Sequence, residues 1–230
     1  MIIYELFKDM LSRPHLLIAG ATGTGKSVLL NGLIYTALQH GPDVNQFILI
    51  DPKCVELSQY KRLPHCIAYG NTNKAMINAL QLAMDTTEKR LRVMERRGEK
   101  QFTGPKIMIC VDEFADLLTT CRKETEPIFR RICQIGRAAK VGLIACTQRP
   151  TGDVINPRIT VNMDCRVGLR TINRRQSQNI IWSGGCELLP DPLTEHVAQC
   201  YYLRGPRLTR HTIPFIRDET IQETIDYWTK

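Results

Sequence analysis

The sequence predicts an α/β fold in which helices flank a mostly parallel central sheet. Short apolar runs with strand character alternate with longer helical runs along the whole chain. Two of the apolar runs, 106–111 and 142–147, are almost continuously hydrophobic, as strands buried on both faces are. A third run, 15–19, leads through a glycine-rich loop directly into a helical stretch.

Each element follows from the local pattern. The expected strands are 15–19, 46–51, 65–68, 106–111, 142–147, 165–170, 198–203 and 208–213. The expected helices are 26–40, 73–97, 123–139, 174–182 and 218–229. Gly41 and Pro42 are suited to end the first helix, and Thr72 is suited to cap the second. In such a sheet, ligands bind at the carboxyl ends of the strands.

The composition indicates one basic domain over residues 1–230. Its 43% hydrophobic content is enough for a core, and 31 basic against 23 acidic residues give a net charge of +8. This charge favours a polyanionic partner without proving one. The nine cysteines include no C-x-x-C pair, which indicates a reducing cytosol rather than disulfides or zinc. No apolar run has the length of a membrane span, so we expect a cytoplasmic protein.

The most specific motif is the glycine loop, G-x-x-x-x-G-K-S, at residues 20–27. Its backbone N–H groups and the positive end of the next helix are suited to phosphate oxygens. Lys26 is placed to reach the outer phosphates and Ser27 to ligate Mg²⁺. We therefore predict ATP and Mg²⁺ as ligands, against the alternative of a plain glycine turn before a helix. The residues predicted to contact the nucleotide are Gly20, Ala21, Thr22, Gly23, Thr24, Gly25, Lys26 and Ser27.

The strand 106–111 ends at two adjacent carboxylates, Asp112 and Glu113. Burying such a pair is costly unless a cation or a reaction uses it. Beside a phosphate loop, Asp112 would hold Mg²⁺ and Glu113 would polarise the water that attacks the γ-phosphate. A glutamate here favours hydrolysis by water, which argues against a kinase. The alternative is that both acids only cap the next helix.

Other polar residues follow strands at the same predicted edge. Gln148, after the strand 142–147, would sense or orient the γ-phosphate, or would only fix a loop. Asp51 and Lys53 follow the second strand, but their spacing assigns them no chemical step.

Two groups of arginines have open interpretations. The helix 123–139 contains Arg137, for which the choices are a residue presented to a neighbouring subunit's γ-phosphate and a solvated helix face. Arg170, Arg174 and Arg175 stand among short amides and hydroxyls, a mixture suited to sequence-independent contacts with DNA phosphates.

Together these motifs resemble the FtsK/SpoIIIE family of DNA-translocating motor ATPases. The matching segments keep one order between residues 14 and 189: Pro14-His-Leu-Leu-Ile-Ala-Gly with the glycine loop, Ile50-Asp-Pro-Lys-Cys-Val-Glu-Leu, Val111-Asp-Glu-Phe-Ala-Asp-Leu, Gly136-Arg-Ala-Ala, Thr147-Gln-Arg-Pro and Ser183-Gly-Gly-Cys-Glu-Leu-Leu. The resemblance implies a RecA-like P-loop (ASCE) fold and a hexameric ring. It also implies double-stranded DNA in a central pore and ATP hydrolysed between subunits.

The resemblance also implies roles for single residues. Arg137, in the Arg-Ala-Ala motif, becomes the expected trans-acting finger and Gln148 the expected sensor, while residues 170–178 are expected near the pore. Residues 189–196 depart from the glycine-rich turn of the family.

We expect a motor fragment or a shorter relative, such as the coupling ATPases of Gram-positive conjugative elements. Any membrane attachment is then expected through segments that this chain lacks. The expected activity is ATP hydrolysis coupled to DNA movement in conjugation or chromosome segregation. The alternative is a protein-secretion ATPase of the type VII kind.

Overall fold

The protein is built around an eight-stranded mixed sheet; the computed structural model describes residues 2–230. The strands are β1 Leu16–Ala19, β2 Asn45–Ile50, β3 Cys66–Gly70, β4 Lys106–Val111, β5 Val141–Thr147, β6 Cys165–Leu169, β7 Gln199–Arg204 and β8 Arg207–Thr212. Their order across the sheet is β3-β2-β4-β5-β1-β6-β7-β8. The first six of these pair in parallel, and β7 is antiparallel to β6 and to β8.

Helices cover both faces of the sheet. They are α1 Ile2–Asp9, α2 Lys26–Ala37, α3 Asn73–Arg97, α4 Phe114–Thr120, α5 Arg122–Ile135, α6 Pro157–Thr160, α7 Arg174–Ile181, α8 Pro192–Glu195 and α9 Asp218–Thr229. Short 3₁₀ turns add Ser58–Tyr60 and Cys186–Leu188. Among the described helices, none combines the length and the apolar content that a membrane crossing requires.

The core consists of two hydrophobic clusters, one on each face of the sheet. Leu17 and Ala19 of β1 point into the cluster formed with α3, α4, α5 and α7. Leu16 and Ile18 point into the other cluster, formed with α1, α2 and α9. Because successive strand residues face opposite sides, a strand covered on both sides must be apolar throughout. This explains the continuous apolar runs in the sequence.

The predicted α/β fold is confirmed, and all eight expected strands and five expected helices are present. The third helix of the fold, α3, has the expected bounds, and Thr72 caps it by accepting a hydrogen bond from the Ala75 N–H at 3.3 Å. Two predicted helices were too long. The helix α2 stops at Ala37, ahead of Gly41, and α5 stops at Ile135, so Arg137 lies beyond the end of its predicted helix. The helices α1, α4, α6 and α8 were not predicted, since elements of four to eight residues give little periodicity to detect.

Candidate active site

Four neighbouring parallel strands end at the same edge of the sheet, where most of the predicted site residues meet. The strand β1 leads into the glycine loop, and β4 ends at Asp112 and Glu113. Between them lies β5, which ends just before Gln148, and β2 ends just before Asp51. The sheet therefore brings together segments that are far apart in the chain.

The backbone of the glycine loop requires glycine at particular points. Gly25 has a φ of 100° at the N-terminus of α2, where a residue with a side chain would be strained. At Gly20, an added Cβ would lie 2.5 Å from the Cβ of Leu169. The Thr24 hydroxyl donates to the Ala21 carbonyl at 2.7 Å and closes the turn. The loop is thus a compact cradle at a helix N-terminus, which suits an anion.

Lys26 is buried and is paired with the first carboxylate of β4. Its Nζ donates to Asp112 Oδ1 at 2.5 Å and to the Asp112 carbonyl at 3.0 Å. Burial by itself lowers the pKa of Lys26, but the carboxylates of Asp112 and Glu113 and the hydrogen bond to Asp112 outweigh it. The pKa of Lys26 therefore lies above its ordinary value.

The Glu113 carboxylate is buried and held by donors on three sides. Its Oε1 accepts from the Thr147 hydroxyl at 2.7 Å and from the Ala115 N–H at 3.2 Å. Its Oε2 accepts from the Gln148 N–H at 3.0 Å. The capping alternative is right for Glu113, which caps α4, whereas Asp112 points to Lys26. Capping does not exclude a catalytic role, because it fixes the orientation of the carboxylate.

Gln148 connects the glycine loop with the acids. Its side-chain Oε1 accepts from the Thr22 hydroxyl at 2.8 Å, while its backbone N–H donates to Glu113. A side chain in this position contacts both the loop and the segment that would activate water. Its role as a sensor stays a prediction.

Two acidic residues that follow β2 belong to the same edge. Glu56 Oε1 accepts from the Ser27 hydroxyl at 2.6 Å. Asp51 is fully buried, and its Oδ2 accepts from the Leu57 N–H at 2.9 Å. Glu56 belongs to the Ile50–Leu57 motif, but the sequence alone assigns it no role. The one sequence feature that could have indicated a role is its position shortly after β2, a strand whose carboxyl end lies at the edge of the sheet where the ligand is expected.

Arg137 lies away from the glycine loop of its own chain. It is exposed, follows α5 and precedes the amino end of β5, which is the opposite edge of the sheet. There it lines a cavity together with Arg13 and His15. An arginine that acts on the nucleotide of a neighbouring copy must face away from the nucleotide site of its own chain. Such a role for Arg137 stays a prediction.

The three arginines predicted to contact DNA differ in their surroundings. Arg170 is engaged within the chain, since its guanidinium lies 3.2 Å from Asp191 Oδ2 and donates to the Leu189 carbonyl. Arg174 and Arg175 are exposed in the first turn of α7. Only the latter two are therefore fully presented to solvent, and DNA contact by any of the three stays a prediction.

The donor set at this edge fits magnesium held jointly with a nucleotide. Within residues 2–230, no three His, Cys, Asp or Glu side chains group closely enough to hold a metal on their own. The Ser27 hydroxyl and the Asp112 carboxylate would supply oxygen ligands, which Mg²⁺ prefers. Mg²⁺ is commonly bound by one or two such groups together with water and substrate phosphates.

Fold and site together define a P-loop nucleotide-binding protein. The sequence profile of the FtsK/SpoIIIE family matches residues 4–104 and 92–152. The chain belongs to the FtsK/SpoIIIE family, as its motifs predicted.

Curated relatives agree with this assignment. The DNA translocase FtsK of Pseudomonas syringae pv. tomato is 32% identical over 96% of this chain and 32% of its own length. That of Lactococcus lactis subsp. cremoris is 36% identical over 79% of this chain and 27% of its own length. The chain thus spans between about a quarter and a third of the length of the curated relatives that it matches.

Solved structures share the fold. The conjugation coupling protein TcpA of pCW3, in a monomer form with ATPγS, superposes with a TM-score of 0.82 at 21% identity, over 95% of this chain and 66% of that one. The cytoplasmic domain of the type VII secretion ATPase EccC of Thermomonospora curvata superposes with a TM-score of 0.77 at 22% identity. The superposition covers 94% of this chain and 28% of that one. At these identities the likeness concerns the fold alone, and it confirms the expected α/β architecture.

Proposed function

We propose that residues 1–230 form one motor domain that hydrolyses ATP to move double-stranded DNA. The observation that carries the proposal is the convergence of Lys26, Asp112, Glu113 and Gln148 at one edge of the sheet. Membership of a family whose curated relatives are named DNA translocases supports the choice of DNA as substrate.

The residues divide the chemistry of ATP hydrolysis among them. Lys26 exchanges Asp112 for the outer phosphates and neutralises their charge. Ser27 and Asp112 would hold Mg²⁺, which neutralises charge on the β- and γ-phosphates. Glu113, already fixed by its three donors, orients the attacking water and accepts its proton. Gln148 contacts both Thr22 of the glycine loop and Glu113, so loss of the γ-phosphate would alter the position of both segments through it.

The proposed assembly is a hexameric ring in which ATP lies between subunits. Arg137, at the edge opposite the glycine loop, would reach the γ-phosphate of a neighbouring copy. The exposed Arg174 and Arg175 would contact DNA phosphates, which carry no sequence information and suit a motor that passes over any sequence. We place this domain on the cytoplasmic side, in conjugation or chromosome segregation.

A type VII protein-secretion ATPase is the second candidate, since the fold of EccC is similar. The two functions differ in what stimulates hydrolysis. For a DNA motor, long duplex DNA should raise the rate of ATP hydrolysis, and the DNA affinity should fall steeply as salt is increased. Stimulation by a secretion-signal peptide together with indifference to DNA would contradict the DNA proposal.

A further inference from the structure

Glu56 is a carboxylate at the site to which the sequence assigned no chemistry. The distance between its Oε1 and the Ser27 hydroxyl oxygen is 2.6 Å. The contact joins the segment after β2 to the first turn of α2, across 29 positions of the chain. Both residues are partly exposed, so the contact lies near the protein surface and not in the core.

The segment that carries Glu56 is anchored at both ends. Before it, the buried Asp51 carboxylate accepts from the Leu57 N–H at 2.9 Å. After it, the buried Tyr60 hydroxyl donates to Asn31 Oδ1 at 2.8 Å, and Asn31 lies on α2. These two contacts hold the Glu56 carboxylate beside the start of α2 and give Asp51 a structural role.

The geometry matters because a serine hydroxyl has one proton and two lone pairs. When Ser27 ligates a cation through its oxygen, the proton must go to an acceptor on another side. A carboxylate oxygen is a strong acceptor for such a proton. Donation to Glu56 therefore leaves the lone pairs of Ser27 for the metal and places negative charge behind the ligand.

We propose that Glu56 is a positioning residue for magnesium. It orients the Ser27 hydroxyl and thereby sets how strongly Mg²⁺ tightens nucleotide binding, while Asp51 keeps it in place. This inference rests on the proposed nucleotide site, and it adds to that site a carboxylate on the Ser27 side, distinct from Asp112 beside Lys26.

The experiment measures the dissociation constant of a fluorescent ATP analogue twice for each variant, with Mg²⁺ and with EDTA. We expect Glu56→Ala to reduce the Mg²⁺-dependent tightening about tenfold. Glu56→Gln keeps a neutral acceptor oxygen and should give an intermediate value. In EDTA neither variant should bind more weakly than the wild type. Adding Glu56→Ala to Ser27→Ala should cause no further loss, since both act through one hydroxyl.

Glu219→Gln is the matched control. Glu219 is an exposed carboxylate of α9 that lines the same cleft as Glu56. The Glu219→Gln variant should keep the wild-type ratio between the dissociation constants measured in EDTA and in Mg²⁺. The substitution changes the charge of the cleft, but residue 219 does not contact Ser27. A Glu56→Ala protein that keeps the wild-type ratio, or that loses affinity equally with Mg²⁺ and EDTA, would overturn the positioning role. A wild type that binds no analogue under either condition would overturn the nucleotide site itself, and this role with it.

Discussion

Lys26 and Asp112 form a buried ion pair that joins the glycine loop to the strand β4. Their Nζ and Oδ1 atoms are 2.5 Å apart although the residues are 86 positions apart in the chain. Only 4% of the Lys26 side chain and 3% of the Asp112 side chain are exposed. When one member of such a pair is removed, the other is left as a buried charge without compensation.

The first prediction concerns this pair. Lys26→Met should abolish ATP binding and lower the free energy of unfolding by about 3 kcal/mol, because Asp112 remains buried and unpaired. Urea denaturation measures the stability. The double variant Lys26→Met with Asp112→Asn should recover most of the stability and none of the binding. A single variant as stable as the wild type would show that the pair does not support the fold.

The second prediction concerns Glu113. Glu113→Gln should bind ATP with nearly wild-type affinity and lower kcat by at least about 100-fold, since it removes the base but keeps the shape of the side chain. Steady-state hydrolysis and equilibrium binding measure the two effects. Asp116→Asn is the control, because Asp116 is a partly exposed carboxylate on α4 that pairs with Lys53 at 3.6 Å. Equal losses in both variants would contradict a specific role for Glu113.

The third prediction concerns Arg137. If it acts on a neighbouring copy, Arg137→Ala should lower kcat by about 10³ without weakening ATP binding. Mixing Arg137→Ala protein with Glu113→Gln protein should restore part of the activity, because some interfaces then combine an intact acid with an intact arginine. Arg130→Ala, an exposed position on α5, should leave the activity unchanged. A mixture as inactive as its components would contradict action between copies.

The fourth prediction concerns pH and His15. Burial lowers the pKa of His15 to about 4, with a smaller opposing effect of Asp164, and its Nδ1 accepts from the Leu143 N–H at 3.3 Å. The unfolded chain keeps a pKa of 6.5 and so binds the proton more readily. Stability is therefore complete above about pH 6.5 and falls as the pH drops toward 4.

At pH 5 this linkage should cost the wild type about 2 kcal/mol of unfolding free energy relative to pH 7.5. His15→Gln should lose less stability between the two pH values than the wild type does. Urea denaturation at both pH values gives the comparison. An identical pH dependence in the wild type and the variant would show that His15 does not carry the effect.

The sequence predicted the parts of the fold and site that depend on local pattern. The strands β4 and β5 are apolar except for Lys106 and Thr147 at their ends, because both of their faces are buried, and this is visible in the sequence alone. The glycine loop and the acids after β4 are recognised by residue type and order. Their meeting at one edge follows from the parallel arrangement, without knowledge of any contact.

The individual side-chain contacts between segments could not be predicted from the sequence. That Glu56 meets Ser27 depends on how the chain turns after β2, and that Arg170 is paired with Asp191 depends on a loop that departs from the family pattern. The sequence left open whether Glu113 is a cap or a base. The structure shows that it caps α4, and its role as the base stays a prediction.

The central claim is that the glycine loop and the acids after β4 serve one nucleotide. A crystal structure of the chain with Mg²⁺ and a non-hydrolysable ATP analogue tests it most directly. We expect Lys26 to leave Asp112 for the outer phosphates, with the γ-phosphate facing Glu113 and Gln148. An analogue bound elsewhere, or a Lys26–Asp112 pair unchanged beside a bound analogue, would contradict the account.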